Sequence, residues 1–333
     1  MVPSTVTPNR AKSETKLRIA VVIPCYRVTP QLAGVLAAIG PEVHQIICVI
    51  DGCDQGSGRV AHASALHDAR IHVVEHERNL GVGAACATGY RVALEHRADV
   101  LVKLDGDGQM SPLEISALIR PLELGDADYV KGNRFWNLQD VQGMPLRRVI
   151  GNIGLTFFSK LSSGYWNIFD PTNGFTAMHA AVAQRIPWQR LHRGYFFESD
   201  LLFHLYTLRA VVVDQPLPAR YANETSGLSE WNALLSFPVY HARNFVRRIF
   251  YCYFLRDFNL ASLNLLVALC LISFGTIFGA TQWIRGIEQQ QFNSAGTVML
   301  AALPLILGWQ ALLSFLNFDL VNIPTRPLQR QVR

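Results

Sequence analysis

The sequence predicts an α/β domain built on a largely parallel sheet, followed by a basic amphipathic segment and a pair of membrane-spanning helices. Three observations predict it. Short β-branched runs alternate with longer helical stretches from residue 17 to about residue 221, the signature of βαβ units. Charge is scarce in the 333 residues, 17% against 50% apolar. The shortage is also local: between residues 258 and 318 the only formal charges are Arg285 and Glu288, whereas the preceding chain is charged like a water-soluble domain.

The elements follow in order. Residues 1–16 are polar and lack the apolar core of a signal peptide, so they read as a disordered lead-in that leaves the domain at 17–229 in the cytosol. Strands are expected at 18–23, 45–50, 71–75, 100–104, 129–131 and 211–214, with helices at 30–39, 58–67, 82–96 and 112–122. The last helix opens Ser111-Pro112-Leu113-Glu114, with Ser to cap, Pro for the first turn and Glu to complete a capping box. Residues 230–257 interleave aromatics with Arg243, Arg247, Arg248 and Arg256, as an interfacial helix with basic and apolar faces would. The stretches 258–284 and 294–318 each exceed the ~20 residues that cross a hydrocarbon core of about 30 Å. They imply a transmembrane hairpin over 258–320 and a tail at 321–333. Arginines before the first span and at Arg326, Arg330 and Arg333 place both ends in the cytoplasm by the positive-inside rule. A pair of buried helices in a soluble core is the alternative.

Composition also narrows the function. The cysteines Cys25, Cys48, Cys53, Cys86, Cys252 and Cys270 form no C-x-x-C pair, so buried free thiols are expected rather than disulfides or a zinc knuckle. A net charge of +5 without an extended basic run does not point to nucleic acid. Whether copies of the chain associate stays open.

The chemistry concentrates at strand ends. Residues 100–109, VLVKLDGDGQ, form a buried strand ending in Asp105 and Asp107, with Gln109 beyond. In open α/β sheets ligands bind beyond the carboxyl ends of strands, and such oxygen donors suit Mg²⁺ or Mn²⁺ bridging a diphosphate. Asp51 ends the second strand in the same way. After the third strand, Arg78-Asn79-Leu80-Gly81-Val82-Gly83 is a polar turn opening a helix of small residues. It is neither a P-loop nor the dinucleotide fingerprint, and helix–sheet packing would account for its glycines equally well.

In this order, Ile23-Pro24-Cys25-Tyr26-Arg27, the Asp51 strand end, RNLGVGAACATGY at 78–90, DGDGQ at 105–109 and Gly132-Asn133-Arg134 resemble the nucleotide-sugar domain of family-2 glycosyltransferases, which have a GT-A fold. Further on, Asp170-Pro171-Thr172-Asn173-Gly174-Phe175, Phe196-Phe197-Glu198-Ser199-Asp200, and Arg220-Tyr221 followed by Ser226-Gly227-Leu228-Ser229 resemble the branch of dolichyl-phosphate mannose synthases and bacterial polyprenyl-phosphate glycosyltransferases. The resemblance covers nearly the whole chain, because bacterial members also end in membrane helices.

That resemblance implies roles. Pro24, Tyr26 and Asp51 would line the base and ribose, with Asn79 and Gly81 in the same nucleotide-sugar set. Asp105 would hold the nucleotide or its metal, Asp107 and Gln109 would ligate the metal, and Arg134 would meet donor phosphate. Arg220 and the loop of Ser226 and Ser229 would cover the diphosphate and the acceptor phosphate, with Asn173 in the acceptor set. The chain departs from the family at Arg27, where an acidic position is usual, and lacks a lysine at 226–230. Glu198 and Asp200 would serve as base or orient the acceptor; the alternative is that they only cap the helix after them. The implied reaction is inverting, metal-dependent transfer of a hexose from a UDP- or GDP-sugar to a polyprenyl phosphate at the cytoplasmic face. Its rivals are a processive polysaccharide synthase, whose Q-x-x-R-W motif is not visible, and a catalytically silent membrane-anchored module.

Overall fold

The computed structural model describes residues 17–134, 136, 146–171, 173–217 and 230–331. The expected lead-in at 1–16, Arg220, Ser226 and Ser229 lie outside them. Seven strands form one sheet: β1 Ile19–Cys25, β2 Val43–Asp51, β3 Ile71–His76, β4 Val100–Lys103, β5 Tyr129–Asn133, β6 Thr176–His179 and β7 Val212–Pro216, in the order β3-β2-β1-β4-β6-β5-β7. Helices α1 Thr29–Ala37, α2 Ser57–Ala65, α3 Val82–Glu95 and α4 Ile115–Glu123 connect the first five strands.

The central strands are covered on both faces, so they read as continuous apolar runs whose successive residues enter alternate cores. In β1, Ala20 and Val22 join Ile47, Val49 and Leu101 in one core, while Ile19, Val21 and Ile23 join Ile46, Cys48 and Val102 in the other. α3 packs tightly on the first core because of its small residues: a Cβ at Gly89 would collide with the Val22 side chain.

The sheet is largely parallel, as expected, with β6 pairing antiparallel to both β4 and β5. One local expectation needs correction. Ser111 does not cap with its side chain: residues Pro112–Glu114 wind as a 3₁₀ turn in which the Ser111 carbonyl accepts the Glu114 amide at 3.1 Å.

The chain continues through α5 Leu146–Ser163, a single helical turn Ala180–Ala183, α6 Phe197–Leu208 and α7 Glu230–Phe250. A π-helical turn, Tyr251–Arg256, leads to α8 Leu260–Glu288 and α9 Ala295–Val321. Both last helices are long and apolar enough to cross a membrane, with mean hydropathy 2.1 and 1.9 in their most apolar windows. Only 22% and 11% of those windows are buried, so these are not core helices of a soluble fold. Asn259 starts the first with a capping box shared with Ser262. Gly275 and Gly308 let the pair approach closely: a Cβ at either would meet backbone of the other helix at 2.8 and 3.0 Å.

The hairpin is tied to the α/β domain by buried polar contacts. Asp319, near the end of α9, pairs with Arg248 of α7 through Nη1–Oδ1 at 2.6 Å and Nη2–Oδ2 at 2.9 Å. Tyr253 and Trp166 donate to the same carboxylate. This corrects the expectation for Arg248, which is 0% exposed and faces protein rather than a membrane surface. Burial alone would weaken its charge, but Asp319 more than offsets that and raises the guanidinium above its usual range. Beyond α9, Asn322 accepts from Tyr206 and Arg209, and the amides of Leu328 and Gln329 donate to buried Asp128 at 2.8 and 2.9 Å.

Candidate active site

The carboxyl ends of β1, β2 and β4 meet the start of α6 on one side of the sheet. At β2 the Asp51 carboxylate is buried, accepts the amides of Leu80 at 2.9 Å and Gly81 at 2.8 Å, and lies 2.8 Å from His76 Nδ1. It therefore organises the 78–81 turn. Gly52 and Gly81 have φ of +59° and +97°, and a Cβ at Gly52 would strike the backbone of Arg78 and Asn79. The first turn of α3 is closed by protein, since Gly83 and Ala84 donate to the Arg193 carbonyl. Pro24 sits where β1 runs past the last residue of β4, so its missing N–H costs no ladder bond. Tyr26 follows it into solvent, with the Arg27 guanidinium 5.1 Å from its ring centre and 3.4 Å from Asp54.

At the end of β4 stands Lys103, a charge inside an otherwise apolar strand and only 2% exposed. Its Nζ lies 2.8 Å from Asp105 Oδ1 and 3.1 Å from Glu198 Oε1. Burial opposes its charge, but Asp105 and Glu198 hold the ammonium well above its usual range. Asp107, two residues further on, accepts the Gln109 amide at 3.0 Å in an Asx turn closed by Gly108 at φ +78°. Gly174 packs directly over Lys103 Nζ and Asp105 Oδ2, with no room for a Cβ. The DGDGQ turn, the loop before β6 and the start of α6 thus converge on one lysine. The sequence analysis did not single it out, although a lysine ending VLVK in a buried strand is the available signal.

Other expected site residues are engaged elsewhere. Asn173 is buried and holds the loop before β6 through Gly132 O at 2.6 Å, Phe175 N at 3.0 Å and its own carbonyl, which accepts Lys131 Nζ at 2.8 Å. Burial pulls the Lys131 ammonium down to about 8. Arg134 forms a two-pronged pair with buried Asp170, at 2.9 and 3.3 Å. Asp214, pushed up to about 6 by burial, accepts from the Phe169 amide and Asn133. Asp200 turns away from Lys103, accepting the His192 amide and Asn244 Nδ2, each at 2.8 Å.

Among the described residues no three His, Cys, Asp or Glu side chains gather as a ready-made metal cage. Two carboxylates at a strand end, with oxygens supplied by a diphosphate, are nonetheless a donor set that suits Mg²⁺ or Mn²⁺. One cation against Asp105 and Glu198 leaves a formal charge of −1, and Asp107 brings it to −2, which favours a divalent cation.

Comparison with known proteins gives the family and the fold. The chain is 31% identical over 220 residues to polyprenol monophosphomannose synthase of Mycolicibacterium smegmatis, covering 65% of this chain and 79% of that one. It is 30% identical over 172 residues to the UDP-N-acetylglucosamine–dolichyl-phosphate N-acetylglucosaminyltransferase of Methanococcus voltae, covering 52% and 68%. It is 27% identical over 204 residues to the undecaprenyl-phosphate mannosyltransferase of Micrococcus luteus, covering 60% and 83%. Mannosyl-3-phosphoglycerate synthase from Rubrobacter xylanophilus superposes with a TM-score of 0.55 at 18% identity, covering 74% of this chain and 78% of that one, which supports the GT-A fold. The family model described as "Glycosyl transferase family 2" matches residues 20–186, and the chain belongs to that family.

Proposed function

We propose that the protein transfers a hexose, with inversion, from a nucleotide diphosphate sugar (UDP or GDP) to a polyprenyl phosphate at the cytoplasmic face of the cell membrane. The observation that carries the proposal is the convergence of Asp105, Glu198 and the Gly174 loop on Lys103 at the strand ends, in a domain welded through Asp319 to a hairpin able to span a membrane. The names of the relatives, which include transferases to polyprenyl and dolichyl phosphates, support the acceptor class.

The chain's own groups divide the work. The acceptor phosphate is already ionised near neutral pH, so its oxygen attacks without a base to deprotonate it. Glu198, held by Lys103, then orients the acceptor rather than removing a proton, and Asp200 positions α6 against α7 through His192 and Asn244. Asp105 and Asp107 would hold the divalent ion, whose chemistry when bound is to neutralise the departing nucleoside diphosphate. Tyr26, exposed at the end of β1, offers a face to the base. Arg134, held by Asp170, would meet donor phosphate.

The test is to incubate membranes containing the full chain with a panel of labelled UDP- and GDP-hexoses, with and without added polyprenyl phosphate. The expected result is a labelled, mild-acid-labile lipid from one nucleotide class. Label in a water-soluble product or a long polysaccharide would refute it.

A further inference from the structure

On the side of α6 turned away from Lys103, a cleft of about 560 Å³ opens toward α7 and the turn Trp188–Arg190. Its walls are Arg190, Asp200, Phe203, His204, Arg243 and Arg247. Three guanidinium groups therefore share the cleft with one carboxylate, a formal balance of +2 with His204 neutral. That carboxylate is already committed to the His192 amide and to Asn244. Among the described residues, the ion pairs of arginine involve Arg27, Arg70, Arg120, Arg134, Arg248 and Arg330 and none of these three. Burial holds the His204 imidazole below its usual range; Asp200 pulls it up, Arg190 and Arg247 push it down. The imidazole thus adds no positive charge, and the positive charge of the site comes from its arginines, whose planar forks match phosphate oxygens.

The position of the cleft says where such a phosphate would come from. On α7, Val239, Arg243, Val246 and Phe250 recur at the i, i+4, i+7, i+11 spacing of one helical face, with Arg247 beside them. Val239, Val246 and Phe250 are all more than half exposed. An apolar stripe edged by arginines is the pattern of a helix lying in a membrane interface, and α7 leads through one π-helical turn into the first apolar span at Leu260.

The geometry points to a second anion site in this protein: the Arg190–Arg243–Arg247 cleft takes the phosphate of an anionic membrane lipid that is not consumed, and so seats α7 on the bilayer. This goes beyond sugar transfer and requires only that α8 and α9 lie in a membrane.

The experiment uses the full chain in nanodiscs of equal parts phosphatidylcholine and phosphatidylglycerol and counts the lipids retained when the protein is released into a mass spectrometer. The wild type is expected to retain phosphatidylglycerol preferentially. That preference should fall about fivefold for each of Arg243→Gln and Arg247→Gln, from an attraction near 1 kcal/mol per basic residue. Arg190→Gln, on a separate element, should weaken it as well, while Arg256→Gln, outside the cleft, should not. An unchanged preference in Arg190→Gln and in the α7 variants, or a wild type that does not discriminate between the lipids, would overturn the proposal. So would inorganic phosphate displacing phosphatidylglycerol from the wild type, which would make this a site for free phosphate. No sugar transfer is read, so a failed acceptor assignment would leave this result intact.

Discussion

At Lys103 an ammonium faces Asp105 and Glu198; at Arg248 a guanidinium faces Asp319, with Tyr253 and Trp166 as further donors. Both cations are buried, and both hold their carboxylates at hydrogen-bonding distance. They differ in balance and closure. The Arg248 pair is neutral, two-pronged and sealed, its side chains 0% and 1% exposed. The Lys103 group carries an excess of carboxylate, and Asp105 remains 29% exposed. A sealed, balanced pair has one stable arrangement and fixes the fold. A cluster with surplus charge at an open edge can change partners when a phosphate or cation arrives. That difference is the one expected between charge buried for structure and charge buried at the proposed site.

Removing one carboxylate at each site should act in opposite ways. Asp319→Ala leaves Arg248 buried without its counter-ion and should cost about 3–5 kcal/mol, read as a large fall in the thermal unfolding midpoint in detergent. Asp107→Ala should do the reverse. It should lower turnover by about 10²–10³-fold with the unfolding midpoint nearly unchanged, because the residue is partly exposed and its loss makes no cavity. Equal stability losses in the two variants would erase the distinction.

A pH experiment sharpens it, because His241 lies on α7, which carries Arg248 and packs against the start of α6, the helix that carries Glu198. Burial pulls its imidazole down to about 4, and Ser162 is its hydrogen-bond partner. A depressed pKa means stability that is fully present above the ordinary value near 6.5 and is lost as pH falls through 4. The loss should reach about 3 kcal/mol at most. Amide exchange along α7 should rise over that window in the wild type and stay flat in His241→Gln. The smallest effect is steric. Gly174→Ala puts a methyl between Lys103 and Asp105 without removing a charge, and should cost about 1–3 kcal/mol while lowering turnover. Wild-type turnover in that variant would show that the cluster need not stay closed.

Much of this was legible in the sequence because it is local. β-branched runs marked β1 to β4, and the acidic residues at the ends of β2 and β4 marked the ligand side of the sheet. β6 was missed because Thr176–His179 is four residues with little β-branching, made a strand by its neighbours on both sides. Arg248 was assigned to the membrane surface because its partner lies 71 positions away, and no helical periodicity reports a pairing at that range. Asp51 stood out as a carboxylate at a strand end, and Asn173 only through the family resemblance. The structure shows that both side chains also hold backbone groups of neighbouring loops, contacts between distant positions that a single sequence does not encode.

The Asp128 carboxylate also constrains the order in which the protein is made. Its oxygens accept the amides of Val211, Leu328 and Gln329, the last two supplied from about 200 positions downstream. While the ribosome is still translating α9, this buried carboxylate at the start of β5 lacks two of those three donors. The edge of the sheet at β5 and β7 therefore completes these hydrogen bonds only once residues 328 and 329, beyond α9, have been added to the chain.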